Sequence, residues 1–254
     1  MTQSSSLLSG HAPKGRRFTV DLLRKLAPQE RSDLYASGLK ALEATQSLLQ
    51  QGKTVISEII GNAAFVEWEH YPPRDAKSRS GALFYYHAHA AAQRMPAEHG
   101  HFHVFAPNNR ADCPSDQRYT HIAGLSVDAR GMPLRVFTTN QWVTAECWED
   151  ADRVCTLARQ TALKDARPHN VGKWLDAVLN FFRPQIDLVT HMRDARAKAL
   201  MERGRTHLLE DRRTHILSQC RIDFSTQIVA LEELGADAPS AAARKSRAGT
   251  RPET

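Results

Sequence analysis

The segment YYHAHAAAQRMPAEHGHFHVF, residues 85–105, carries the pattern that decides the fold. It contains five of the chain's 12 histidines, spaced as H-x-H and then as H-x-H-x-H. Side chains of a β-strand alternate between the two faces of a sheet, with a period of two residues. Each histidine run is therefore typical of one strand face, and the apolar residues Phe84, Phe102 and Val104 fall on the opposite face.

The two histidine runs are expected to pair as an antiparallel hairpin, because only residues 90–98 separate them. Opposed residues in an antiparallel pair keep a constant sum of residue numbers. If His89 lies opposite His99, then His87 lies opposite His101 and Tyr85 lies opposite His103. All five imidazoles then converge on one surface, while the apolar face packs on helices. A slip of one residue would move the whole set to the other layer, so the shared face is the robust part of this prediction.

The convergence of the imidazoles indicates a metal site. Opposed residues in a sheet have Cβ atoms about 4.5–5.5 Å apart, which suits imidazoles that share an ion at about 2.0–2.1 Å from each nitrogen. The predicted ligands are His87, His89, His99, His101 and His103. A set rich in imidazole and without thiolates favours Fe, Cu or Zn over Ca or Mg. Three or four of the rings are expected to bind a given ion, in a mononuclear or closely spaced dinuclear centre, and the remaining ring is expected to position a substrate or a second metal.

Glu98 precedes the triple-histidine run and is the candidate catalytic residue. It either completes the ligand set or handles protons for a metal-bound water. Two other interpretations stay open: Glu98 accepts a hydrogen bond from a ring N–H of a ligating histidine and holds that ring, or it is a solvent-exposed loop residue. His121 is expected to be structural, on the side of Leu125 and Val127.

The pattern favours a metalloenzyme that acts on a small-molecule substrate by activating water or dioxygen. A competing class is a non-enzymatic protein that stores, delivers or senses metal, in which the site is closed or on the surface. A metal-free catalytic cluster and a structural or pH-sensing cluster are further alternatives. The sequence carries no signal for an oligomeric state.

Hydrophobic periodicity predicts an α+β fold, with an antiparallel meandering sheet of about five or six strands covered by N-terminal and C-terminal helices. Helices are expected before residue 61, with Leu34, Leu39, Leu42 and Leu48 on the buried side of the second one, and again after residue 149. The strand-like segments are 63–71, 82–89, 99–106, 120–128 and 133–140, with a sixth at 215–224. The predicted organisation is a tail at 1–17, a single domain at 18–235 and a basic tail at 236–254, both tails being disordered.

The formal net charge of +6 is concentrated near the two ends, and no nucleic-acid-binding motif occurs between them, so a nucleic-acid partner is not expected. No apolar run is long enough to span a bilayer and no signal peptide is apparent, which predicts a cytoplasmic protein without a membrane partner. The four cysteines form no C-x-x-C pair, which speaks against a disulfide framework and favours buried or incidental thiols.

Two resemblances add to this interpretation. The segment HGHFHVF, residues 99–105, resembles the signature of histidine-triad nucleotide hydrolases and transferases, which implies His101 as a nucleophile. Gly100 departs from that signature, where a bulky apolar residue is usual. The segments HYPP, YYHAH, EHGHFH, FTTNQWVTAE and FFRPQI, spread over residues 70–186, resemble an uncharacterised bacterial family with no assigned activity. That resemblance implies one coherent domain and gives no substrate.

Overall fold

The computed structural model describes residues 9–113 and 118–236. Eight α-helices and six strands lie in these two ranges. The helices are α1 (Arg16–Arg24), α2 (Pro28–Gln50), α3 (Val55–Ile60), α4 (Gln141–Thr144), α5 (Ala151–Gln160), α6 (His169–Phe181), α7 (Arg183–Glu202) and α8 (Phe224–Glu233). The strands are β1 (Tyr71–Lys77), β2 (Leu83–His87), β3 (Gly100–Pro107), β4 (Tyr119–Val127), β5 (Pro133–Thr139) and β6 (Ile216–Arg221). The predicted α+β class is confirmed.

The six strands form one sheet in the order in which they occur in the chain, β1-β2-β3-β4-β5-β6, and every neighbouring pair is antiparallel. The turn between β4 and β5 illustrates how short connections produce this meander. The Asp128 side chain accepts hydrogen bonds from the backbone N–H groups of Arg130 and Met132, and Gly131 has a positive φ of 85° that a glycine adopts without strain. The predicted meander and its sixth strand are therefore confirmed.

The first strand lies later in the chain than predicted. Residues 63–70 were expected to form it, but the structure has a loop there and β1 begins at Tyr71. Trp68 has a φ of 73°, which interrupts the alternation that the sequence suggests. Pro72 and Pro73 lie inside β1. Prolines are tolerated because β1 is an edge strand that pairs only with β2.

One face of the sheet packs on helices, as the alternation predicts. Phe84, Phe102 and Val104 are fully buried on this face, and the Phe102 ring lies 5.7 Å from the Trp174 ring of α6. Burial of each such side chain stabilises the fold by roughly 1.5–3 kcal/mol. His87, His101 and His103 alternate with these residues and therefore face the other way.

The buried face of α2 differs in part from the prediction. Leu34 and Leu48 are buried, whereas Leu39 and Leu42 are 37% and 44% exposed. The face toward α6 is instead lined by small residues such as Gly38, where a Cβ atom would lie 2.8 Å from the Phe181 ring. The two helices approach too closely for leucine at these positions, and the larger side chains turn to solvent.

The predicted tails lie largely outside the described residues, namely at 1–8 and 237–254. In the described remainder of the N-terminal segment, the Ala12 N–H donates to the Gln219 carbonyl, and the Gln219 N–H donates to the Gly10 carbonyl. Contacts with the sheet thus begin before residue 18. Among the described residues, no helix has the length and apolar character needed to cross a membrane.

The interpretation of all four cysteines as buried or incidental thiols is wrong for two of them. Cys113 and Cys147 form a disulfide, with Cα atoms 5.7 Å apart, while Cys155 and Cys220 are buried free thiols. The two partners are brought together by β4, because the Cys147 N–H donates to the Tyr119 carbonyl. Sequence spacing carries no trace of this long-range contact.

Candidate metal centre

The pairing of β2 with β3 places three histidines on the face of the sheet that points away from Trp174. The register pairs Tyr85 with His103 and His87 with His101, as predicted. The rings of His87, His101 and His103 each offer one nitrogen, and these nitrogens all lie within 4.8 Å of one another. His101 and His103 are buried, and His87 is partly buried.

The separations within this trio are close to those of a metal site. The Nε2 atoms of His87 and His101 lie 2.7 Å apart, and the His103 ring centroid is 5.0 Å from that of His101 and 5.2 Å from that of His87. Bonds of 2.0–2.1 Å in tetrahedral geometry separate two ligand nitrogens by about 3.3 Å. A ring rotation that moves the Nε2 atoms of His87 and His101 apart by about half an ångström would therefore admit an ion.

Glu98 holds the ring of His101. Its Oε1 atom lies 2.8 Å from His101 Nδ1, and its Oε2 atom accepts a hydrogen bond of 3.1 Å from Arg135. Burial alone would raise the pKa of Glu98, but the hydrogen bond to His101 and the Arg135 charge outweigh it and hold that pKa below its usual value. A carboxylate at Nδ1 keeps the proton there and leaves Nε2 with a lone pair that points toward His87. Glu98 thus acts on the trio through His101.

His103 is held in the same way by a second histidine. Its Nδ1 atom lies 3.0 Å from Nε2 of His121, and Nδ1 of His121 lies 3.3 Å from the Thr139 hydroxyl. If His103 donates to His121 and His121 donates to Thr139, Nδ1 of His103 and both ring nitrogens of His121 have hydrogen-bond partners while both rings are neutral. The same arrangement leaves Nε2 of His103 free to bind an ion. The backbone N–H of His121 donates to the buried carboxyl group of Glu146 at 2.8 Å.

The role of His121 was missed because of a β-bulge. Alternation from Leu125 places it on the helix face, but the register shifts between two pairs, Val104–Ala123 and Phe105–His121. Ile122 is the extra residue in β4, and each residue beyond it changes face. No local sequence pattern marks this bulge.

His89 lies beside the trio and His99 does not, so the predicted convergence of all five rings is wrong for His99. The ladder between β2 and β3 ends at the pair His87–His101. The His89 ring lies 5.0 Å from His101 and stacks on Trp68 at 4.2 Å. His99 turns to the other layer, where its Nδ1 atom lies 2.5 Å from the Tyr86 hydroxyl. A side chain at Gly100 would overlap that hydroxyl, which accounts for the glycine.

Two further histidines lie nearby. His70 stacks on the Tyr85 ring at 3.7 Å, and its Nδ1 atom is 3.1 Å from Asp75. His215 lines the cavity next to the trio and packs edge-on against Trp142 at 4.7 Å. His70 precedes β1 and His215 precedes β6. The pairing of these strands in the sheet brings the two histidines to this face, which their sequence context does not indicate.

Burial keeps the imidazoles of the trio, of His89 and of His121 neutral. Desolvation, reinforced by His101 and His89, lowers the pKa of His87 to about 2. Desolvation likewise lowers the pKa of His89 to about 4 and that of His121 to about 3. The pKa of His101 and that of His103 are also lowered by burial. Neutral imidazole is the form that binds metal, so protons compete weakly here.

The trio opens into a cavity of ≈ 550 Å³, which His89, Glu98 and Arg135 also line. An adjoining cavity of ≈ 630 Å³ shares His87, His89 and Trp68 with the first. Pockets of about 300–1,000 Å³ are typical of small-molecule sites. The histidine face is therefore accessible to a ligand.

Residues 35–222 match the family described as Domain of unknown function (DUF6969). The chain belongs to this family. The match covers most of the chain and contains the trio, Glu98 and His121. No curated protein and no solved structure matches the chain. The predicted resemblance to an uncharacterised family is thus confirmed at the level of the family, and the histidine-triad resemblance stays a prediction.

Proposed function

We propose that this protein binds one transition-metal ion, Fe, Cu or Zn, through His87, His101 and His103, and that it is a metalloenzyme. The observation that carries the proposal is the pair of hydrogen bonds behind the trio, between His101 and Glu98 and between His103 and His121. Ligating histidines almost always donate their second ring N–H to a partner, which fixes the tautomer and the ring orientation. The two contacts occupy the Nδ1 atoms of His101 and His103 and leave the Nε2 atom of each ring available to an ion.

The ligand set suits the proposed metals. Three neutral imidazoles without a thiolate are typical of Zn, Fe and Cu sites. A three-ligand set leaves a coordination position for water or substrate, which distinguishes catalytic from structural zinc sites. His89, whose ring lies 5.1 Å from that of His87, is placed to act as a fourth ligand or to position a substrate.

The cavity favours an enzyme over a metal store. A closed store has no need for a cavity of ≈ 550 Å³ beside its ligands. A bound ion would supply an activated water or dioxygen molecule. Glu98 lines the cavity and is the proposed proton-handling group, and its hydrogen bond to His101 also orients that ring.

Metal analysis of protein purified without an affinity tag tests the proposal. We expect about one Fe, Cu or Zn ion per chain, and a loss of at least about 100-fold in affinity for that ion in His103→Ala. The matched control is His191→Ala, which removes a histidine that is more than half exposed on α7. Circular dichroism and thermal unfolding of each variant establish that it is folded.

A wild-type protein that binds none of the three ions would overturn the proposal. In that case, dinucleotide hydrolysis by the metal-free protein, abolished in His101→Ala, would support a histidine-triad activity. A stoichiometric ion that is inaccessible to small ligands such as azide or cyanide would instead point to storage, delivery or sensing.

A further inference from the structure

The cavity beside the trio has apolar walls. Five apolar side chains line it: Trp68, Met95, Phe137, Val143 and Ile216. They come from separate segments, the loop before β1, the loop after β2, β5, α4 and the start of β6. The Phe137 ring packs edge-on against the rings of His101 and His103, at 5.4 Å and 5.8 Å. The apolar walls therefore extend down to the candidate ligands.

The two arginines that line the cavity already have counter-ions. Arg135 donates to Glu98 at 3.1 Å and to the Gln219 side chain at 2.7 Å. Arg94 donates to Glu67 at 2.7 Å. A charged group placed against the apolar walls would lose its hydration without gaining a free cation in exchange, which disfavours the binding of a charged ligand.

Trp68 is fixed at the cavity in an uncommon backbone conformation. Its φ of 73° lies in the left-handed region, which a bulky side chain rarely adopts. The Trp68 N–H donates to the Ala88 carbonyl at 2.8 Å, and the indole stacks on His89. Such backbone strain is found where the surrounding structure fixes a residue for a function. About half of the Trp68 surface stays exposed, so its indole is available to a ligand.

We infer that this cavity binds a small molecule whose body is uncharged and apolar, of the size of a bicyclic aromatic ring, with one polar group directed at the histidines. The volume of ≈ 550 Å³ accommodates a ligand of this size. The inference rests on the proposed function only for the direction of the polar group. Apolar walls, paired arginines and an available indole describe the rest of the site without a metal.

Calorimetric titration of the metal-free protein with 2-naphthol and 2-naphthoate tests the inference, because the two probes share a ring system and differ in charge near neutral pH. We expect 2-naphthol to bind at one site per chain and 2-naphthoate to bind at least tenfold more weakly. Val143→Asp should weaken the binding of 2-naphthol at least tenfold, because it places a carboxylate in the apolar wall. The matched control is Val229→Asp on α8, an exposed position outside the cavity lining, which should bind like the wild type.

Trp68→Ala serves as a second variant if Val143→Asp does not fold, since Trp68 is more than half exposed, and it should also weaken 2-naphthol binding. Failure of both probes to bind, equal or tighter binding of 2-naphthoate, or equal effects of the cavity and control variants would overturn the inference. Metal content is measured separately. A protein that binds 2-naphthol but no ion would refute the metal proposal alone, and one that binds an ion but neither probe would refute the inference alone.

Discussion

Oε1 of Glu98 lies 2.8 Å from Nδ1 of His101, and the Glu98 side chain is only 2% exposed. This buried carboxylate is balanced on its other oxygen by Arg135. The contact fixes the His101 ring so that its second nitrogen points to His87. The candidate metal centre therefore depends on a carboxylate that orients one of its rings, that of His101.

Glu98→Gln is expected to weaken metal binding about 10- to 100-fold, as substitution of the partners behind metal ligands typically does. The neutral amide no longer favours a proton on Nδ1 of His101, so the ring binds as a poorer donor. Competition with a chromophoric chelator measures the affinity. Glu202→Gln, at an exposed position on α7, is the control. Equal metal affinities of Glu98→Gln and Glu202→Gln would contradict the role of Glu98 as the hydrogen-bond partner that orients the His101 ring.

His121→Leu is expected to weaken metal binding by about 10- to 100-fold as well, because it removes the acceptor for Nδ1 of His103. The metal-free variant should also lose about 1–3 kcal/mol of unfolding free energy, since a buried N–H is left without a partner. Urea unfolding and chelator competition give the two quantities. His169→Leu removes an exposed histidine at the start of α6 and should change neither. Unchanged metal affinity in His121→Leu would show that His103 does not depend on this contact.

The sequence predicts those parts of the fold and site that depend on regular alternation. His87 and His101 lie inside an uninterrupted ladder, so counting in steps of two gives their pairing and their shared face. His99 lies just outside the ladder, where the same count no longer applies. In β4 the extra residue Ile122 lies between Ala123 and His121, so the His121 side chain points to the face opposite to the one that the count predicts.

The remaining features depend on contacts between distant segments. The two prolines of β1 argue against a strand in the sequence, because proline lacks the N–H of a ladder hydrogen bond. They are compatible with a strand only at the edge of the sheet, and the sequence does not reveal that position. The disulfide joins cysteines that are 34 residues apart, and contacts such as the hydrogen bond between Cys147 and Tyr119 of β4 bring them together. These features follow from three-dimensional packing, which no local pattern encodes.

The disulfide is expected to contribute about 4 kcal/mol to stability, by the entropy of the closed loop in the unfolded chain, because 34 residues separate Cys113 from Cys147. Reduction should lower the midpoint of urea unfolding of the wild-type protein. Cys113→Ser should already have the lower midpoint and should not respond to the reductant. A wild-type midpoint that is equal with and without reductant would show that the bond is absent or without effect on stability.

The buried carboxyl group of Glu146 predicts a pH-dependent stability. Burial raises its pKa from 4.5 to about 7 in the folded chain, despite the opposing charge of Arg193. Between these two values the folded state holds a proton that the unfolded state has lost, so this group's contribution to stability falls as the pH rises through the window. Glu146→Gln removes the effect and keeps an acceptor for the His121 N–H. The variant should therefore gain stability relative to the wild type from pH 5 to pH 8, by up to on the order of 3 kcal/mol.

Urea unfolding of the metal-free proteins across this range measures the difference, with Glu43→Gln on the exposed face of α2 as the control for loss of a surface charge. A difference between Glu146→Gln and wild type that does not change with pH would show that Glu146 ionises at the same pH in the folded and unfolded states.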